Sequence, residues 1–450
     1  MKEKDIFDLE KRHIWHPCSQ MSDYEEYPAT HIVKGNGVWL HTSDGRKILD
    51  AISSWWVNLF GHCNKFISKK IKRQLENLEH VIFANYTHTP AIILGKRLSS
   101  LFDDKLPKVF YADNGSSAIE VAIKMSYHYW YNNNKKEKNL FGYITGAYHG
   151  ETIGALSVGD LTLYKKSYSP LLIKTLPLPG PDCFRCSYGK TRDNCNAECF
   201  EKTKENMDKN KDNLSAIIIE PIVQCANGMS IYPPIFLKKI RDYTEKNDIH
   251  LICDEIASGF GRTGKMMASH HANIIPDFVT VSKGLTGGFL PLSAVLTKEK
   301  IYSAFYGTYV EQKAFLHSHS YTGNPLACSA ACAVFEIFEK NNILEMINKK
   351  GKIIYEKVLD LLDYKYVGEI RTKGMITAIE LVKDKKNKIS FDWKERIGYK
   401  IYREAERNGV LLRNLGDVIY FMPPYIINEK EINFMIKVAK DAIFKILNSI

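Results

Sequence analysis

Two residues of this chain have the surroundings that covalent chemistry on a carbonyl requires. Lys283 follows a short apolar run, Phe278 to Val281, and leads directly into a glycine-rich turn at Gly284, Gly287 and Gly288. Apolar and glycine flanks would leave the ammonium partly desolvated, which lowers a lysine pKa toward the range where the free amine attacks a carbonyl. Asp254 closes a second buried-strand pattern, His250 to Cys253, and is followed by Glu255, Arg262 and the loop glycines Gly259, Gly261 and Gly264. An acid at the C-terminal edge of a strand stands where open α/β sheets bind ligands. Singly, these are more often a solvated lysine and a capped strand end. Jointly they fit a Schiff-base lysine and a carboxylate that pairs with the protonated ring nitrogen of pyridoxal phosphate, the charge that makes the ring an electron sink.

Other segments carry the groups such a site would need. In 108–131 a strand pattern, an Asn-Gly-Ser-Ser turn and a long helical pattern place Gly115, Ser116 and Ser117 at a helix N-terminus, where free N–H groups favour a phosphate. Tyr148 follows a strand and precedes His149, Gly150 and Glu151, so it is placed to stack on a planar ring. Trp55 and Trp56 are adjacent, and in an extended chain they point to opposite sides, one of them toward a pocket. Arg413 lies after an apolar run and before a turn, where it can fork onto a carboxylate or form a surface ion pair. Four cysteines, Cys183-x2-Cys186-x8-Cys195-x3-Cys199, have a spacing that suits zinc or a reduced surface insertion; the inferred chemistry needs no metal, and none is expected.

The elements that must position these groups read as an α/β chain. Its 450 residues suffice for a substantial core, with 45% hydrophobic and 25% charged residues. The net charge of +11 comes from scattered lysines rather than one basic stripe, which argues against nucleic-acid binding and is enough to attract small anions. Residues 1–17 mix both charge signs without an apolar core, and no long apolar run occurs, so a cytoplasmic protein that does not engage the membrane is expected. Cys18, Cys63, Cys225, Cys253, Cys328 and Cys332 read as reduced core thiols. Residues 5–30 look irregular, and 33–63 reads as a hairpin turning at Asp44-Gly45. Apolar strands alternating with helical segments at 235–247 and 325–340 predict a mainly parallel, doubly wound sheet. The expected division is an N-terminal segment and hairpin (1–62) contributing to a small domain, a large cofactor-binding domain (63–340, Cys-bearing insertion 181–200) and a C-terminal small α+β domain (341–450).

Taken together, the Asp-Glu-x-x-x-Gly-x-Gly-Arg-Thr-Gly segment and the Ser-Lys-Gly-Leu-Thr-Gly-Gly segment resemble class III (ω-type) pyridoxal-phosphate aminotransferases of fold type I, over almost the whole chain. Within that class, 12–17, 53–56, 323–328 and 419–425 resemble the branch that makes 7,8-diaminopelargonate in biotin biosynthesis. The resemblance implies pyridoxal 5′-phosphate as cofactor, a homodimer with active sites at its interface, and transamination of 7-keto-8-aminopelargonate with S-adenosylmethionine as amino donor. It implies that Lys283 carries the cofactor, that Asp254 pairs with its ring nitrogen, and that Gly115 and Ser116 hold its phosphate. Tyr148 would stack on the ring, Ser320 with Ser318 and His319 would add phosphate contacts from the other subunit, and Trp55, Arg262 and Arg413 would line the substrate site. Cys18, Glu151 and the Ser-His-Ser run at 318–320 depart from the branch's usual residues, which keeps lysine open as the donor. An aminotransferase acting on ornithine, 4-aminobutyrate or a polyamine, or a non-enzymatic regulator on the same fold, are the competing readings.

Overall fold

The computed structural model describes residues 3–450, with side chains from residue 6 onward. Seven strands make the central sheet: β1 Lys108–Ala112, β2 Leu140–Ile144, β3 Thr175–Leu178, β4 Leu214–Ile219, β5 His250–Asp254, β6 Phe278–Val281 and β7 Ser293–Thr297. Their order across the sheet is β1-β7-β6-β5-β4-β2-β3. β4, β5 and β6 pair in parallel, as do β2, β3 and β4, while β7 runs antiparallel to both neighbours. The expected mainly parallel sheet is therefore present, with one antiparallel strand. β2, β4, β5, β6 and β7 are buried along their whole length, which is why they read as continuous apolar runs instead of alternating ones.

The hairpin strands Trp39–Thr42 and Lys47–Asp50 pair as expected, joined by Ile32–Asn36 on one side. On the other side Val410–Leu411, from the C-terminal part, adds a parallel strand to Lys47–Asp50, so the two ends of the sequence build one small sheet. A second four-stranded sheet holds Val367–Lys373, Ile376–Leu381, Val418–Phe421 and Arg413–Leu415. The long C-terminal helix Glu429–Leu447 starts with a capping box between Asn428 and Glu431.

Two expectations are corrected here. Residues 5–30 are not wholly irregular: Glu3–His13 is a helix and Asp23–Glu26 a helical turn. Of the six dispersed cysteines, Cys225, Cys253, Cys328 and Cys332 are buried, whereas Cys18 and Cys63 are exposed. An apolar sequence context reports packing only where the chain is also covered.

Candidate active site

Lys283 begins a 3₁₀ turn, Lys283–Thr286, at the end of β6, with its own φ at 42°. A non-glycine residue in the left-handed region costs about 1–3 kcal/mol and persists where packing over-determines it. Here Gly288, at φ 85°, lets the turn pass so close to Asn58 that an added Cβ would lie 3.1 Å from its backbone nitrogen. The result is a buried ammonium whose pKa is lowered by desolvation, with Asp254 acting in the opposite sense. Its Nζ stands 4.8 Å from the centroid of Trp56.

Lys283 faces a cavity of about 470 Å³ whose lining includes Gly115, Ser116, Tyr148, His149, Glu220 and Asp254. Asp254, at the end of β5, accepts from the backbone N–H of Ile256 at 3.0 Å, and its Oδ2 lies 2.7 Å from His149 Nδ1. Glu255, the next residue, turns the other way and binds the N–H groups of Ala268 and Ser269 at 2.8 and 2.7 Å, which ties down the following loop. Strand alternation thus separates two adjacent acids into one that serves the cavity and one that serves the fold. Glu220 is buried behind Tyr148, accepts from the N–H groups of Tyr148 and Cys225 at 3.0 Å each, and is pushed up to about 7 by burial.

The helix Gly115–Asn132 opens at the cavity with Asn114 capping Ser117 at 3.0 Å. A Cβ on Gly115 would lie 3.0 Å from Ile256, and one on Gly150 would land on the Ser116 hydroxyl. The glycines keep the helix N-terminus open toward the cavity. Tyr148 lines the cavity and donates its hydroxyl to Glu151 Oε1 at 2.9 Å, and burial raises its pKa. Its ring lies 5.9 Å from that of Tyr164, whose hydroxyl is 3.0 Å from Cys18 Sγ. Cys18 and Glu151 therefore meet around one pair of tyrosines.

Two expected substrate residues, Trp55 and Arg262, sit otherwise than the sequence implied. Ser53, Ser54, Trp55 and Trp56 all have positive φ, between 45° and 75°, so the segment is a left-handed turn and not an extended stretch. Trp56, not Trp55, lines the cavity, and it donates Nε1–H to the Tyr420 hydroxyl at 2.9 Å. Trp55 is 39% exposed and lies under Arg413, whose guanidinium carbon is 4.0 Å from the ring centroid. Arg262 is buried and donates to the carbonyls of Pro423, Trp56 and Asn58, each at 3.1 Å, with its guanidinium over Tyr425. It holds the left-handed turn, does not line the cavity, and keeps a buried Nε without a hydrogen-bond partner among the described residues. Of the loop residues, His319 pairs with Asp113, a cavity residue, at 3.3 Å, while Ser318 and Ser320 are exposed.

The four clustered cysteines line a separate pocket of about 110 Å³ and are unpaired. Burial raises the Cys183 thiol to about 12 and that of Cys199 to about 11. Among the described residues, no group of three or more His, Cys, Asp or Glu is arranged to hold a metal ion.

The Aminotransferase class-III family matches residues 21–443. This chain belongs to the class III aminotransferases. The class is pyridoxal-phosphate dependent, and the cavity fits that cofactor: a buried amine, an open helix N-terminus for the phosphate and a strand-end carboxylate for the ring nitrogen converge on one space. This aminotransferase is 42% identical over 430 residues to the adenosylmethionine-8-amino-7-oxononanoate aminotransferase of Geobacter sulfurreducens, covering 95% of each chain. It is 43% identical over 435 residues to the enzyme of that name from Helicobacter pylori, covering 96% of this chain and 95% of the relative. The crystal structure of the like-named enzyme of Methanocaldococcus jannaschii superposes with a TM-score of 0.93 at 36% identity, over 99% of both chains. An (S)-enantioselective ω-transaminase of Thermomicrobium roseum superposes with a TM-score of 0.94 at 28% identity, again over 99% of both.

Glu220 and His149 emerged as site residues only in three dimensions, which also picks Trp56 from the adjacent tryptophans. Glu220-Pro221 at a strand end was a usable signal, since it repeats the placement of Asp254.

Proposed function

We propose that this aminotransferase converts 8-amino-7-oxononanoate (7-keto-8-aminopelargonate) to 7,8-diaminopelargonate, with S-adenosylmethionine as amino donor, as a cytoplasmic homodimer. The supporting observation is the full-length similarity to enzymes of that name, combined with a cavity in which Lys283, Asp254 and a helix N-terminus converge. Bound pyridoxal phosphate supplies the electron sink for moving an amino group.

The protein's residues then do four things. Lys283 carries the cofactor and, when released, moves the proton at the substrate's reacting carbon, a task its lowered pKa suits. Asp254 would pair with the protonated ring nitrogen, and His149 orients that carboxylate through Oδ2. Gly115 and Ser116, with the exposed Ser318 and Ser320 from a second subunit, bind the phosphate, while His319 stays on Asp113 of its own subunit. Tyr148 and Trp56 enclose the reacting groups, and Arg413, laid on Trp55, receives the substrate carboxylate.

Lysine as donor is the second reading. The Glu151 carboxylate beside Tyr148, with Cys18 on Tyr164, forms a corner of aromatic rings and negative charge that accepts an ammonium as readily as a sulfonium. Assaying diamine formation from 8-amino-7-oxononanoate with each donor separately decides between them. Product with S-adenosylmethionine supports the first reading; product with lysine alone supports the second; none with either contradicts both.

A further inference from the structure

The segment that carries Ser318 and Ser320 alternates its side chains. Phe315, His317 and His319 are half-buried, while Leu316, Ser318 and Ser320 between them are exposed, Leu316 at 90%. Phe315 packs edge-on against Phe110 of β1, with ring centroids 5.6 Å apart, and His317 stacks on Phe315 at 5.7 Å. The ring nitrogens then form a chain. Lys124 Nζ lies 2.8 Å from His317 Nδ1, His317 Nε2 lies 3.2 Å from His319 Nε2, and His319 Nδ1 lies 3.3 Å from Asp113 Oδ2. A lysine ammonium only donates, so His317 Nδ1 accepts and the ring's hydrogen is on Nε2. His319 Nε2 accepts in turn, and its hydrogen on Nδ1 faces the Asp113 carboxylate. Both ends of the chain belong to one element. Lys124 is on the helix Gly115–Asn132, and Asp113, which lines the cavity, stands just before it.

We propose that Lys124, His317, His319 and Asp113 form a clamp that holds this segment on its own subunit, in the register that points Ser318 and Ser320 at the cofactor phosphate of a second subunit. Because inward and outward side chains alternate, a slip by one residue would turn the two serines inward and both histidines outward. The clamp forbids that slip, since only the histidines can join Lys124 to Asp113. Lys124 and His317 are positioning residues, acting on the neighbouring cofactor through the serines. The inference rests on the reading of a homodimer in which these serines reach the neighbour's phosphate.

Mixed dimers, purified through two different tags, test it. Pyridoxal phosphate is titrated into cofactor-free protein, and the visible band of the Lys283-bound cofactor is followed; only a chain with Lys283 gives that band. His317→Phe keeps the stack on Phe315 and removes both ring nitrogens. In the uniform His317→Phe dimer the dissociation constant is expected to rise about tenfold. Paired with a Lys283→Ala chain, the His317→Phe chain should bind as tightly as wild type, because its phosphate meets the partner's intact segment. With both substitutions on one chain and a wild-type partner, the wild-type site should be about tenfold weaker. The reverse pattern, equal affinities in the two mixed dimers, or an unchanged uniform dimer overturns the clamp. Lys124→Met, at an exposed position, is expected to raise the constant about threefold in the wild type and to add nothing to His317→Phe. A further loss beside His317→Phe overturns the place of Lys124 in the chain. Sedimentation as a monomer contradicts the dimer reading itself, and that measurement recognises it separately from the titrations.

Discussion

Lys283 and Asp254 were legible from residue type and flanks, because a desolvated amine and a strand-end acid need particular neighbours in sequence. Lys283→Ala is expected to lower turnover by about 10³-fold or more while the protein stays folded, measured as initial rates with saturating substrates. Rates near wild type would remove Lys283 from the chemistry. Arg262 shows where the sequence signal is ambiguous: an arginine in a glycine-rich loop carries the same signal whether it faces a ligand or three backbone carbonyls. The structure gives it the carbonyls. Arg262→Met should therefore lower stability by about 3 kcal/mol in urea denaturation without any substrate present. Unchanged stability with a higher KM for the keto acid would restore the substrate role.

The strand and helix within 108–131, the strands at 250–253 and 278–281 and the helices near 235–247 and 325–340 followed from apolar periodicity and turn residues. The turn at 53–56 could not be read that way, because four successive left-handed residues, two of them tryptophan, contradict local preference and are imposed by distant groups. Arg262 and the carbonyl of Met422 are such groups, and Asp50, four residues before Ser54, adds a nearer anchor. It accepts from Ser54 N–H at 2.9 Å and Ser54 Oγ at 2.7 Å and lies 3.0 Å from His62 Nε2. Asp50→Ala takes a buried acceptor from these part-exposed donors and should cost about 1–3 kcal/mol, with loss of the near-ultraviolet circular dichroism of Trp56. Retention of both the signal and the stability would mean that the turn holds itself.

Across the molecule, the two ends of the chain meet in one small sheet, a pairing between Leu49 and Val410 that no local pattern announces. The Cys-bearing insertion is likewise joined to the C-terminal sheet through arginines. Arg192 forks onto Glu369 at 2.5 and 3.1 Å, and Arg185 reaches Glu380 at 2.9 Å. Arg371, buried between these acids, bonds both and also the carbonyl of Met229 at 2.9 Å. Arg371→Ala would leave Glu369 held by Arg192 alone and Glu380 by Arg185 alone, and is expected to cost about 1–3 kcal/mol, read as a lowered urea midpoint at constant slope. An unchanged midpoint would mean that the insertion rests on packing alone. Among the described residues no helix is long and apolar enough to cross a membrane.

The most direct test of the account follows the cofactor through one half of the reaction. Protein loaded with pyridoxal phosphate is mixed with S-adenosylmethionine in the absence of keto acid, and the visible band of the Lys283-bound cofactor is monitored. The account predicts conversion to pyridoxamine phosphate, reversed on adding 8-amino-7-oxononanoate. A band unchanged by S-adenosylmethionine and by lysine, or a converted cofactor that the keto acid fails to restore, would contradict it.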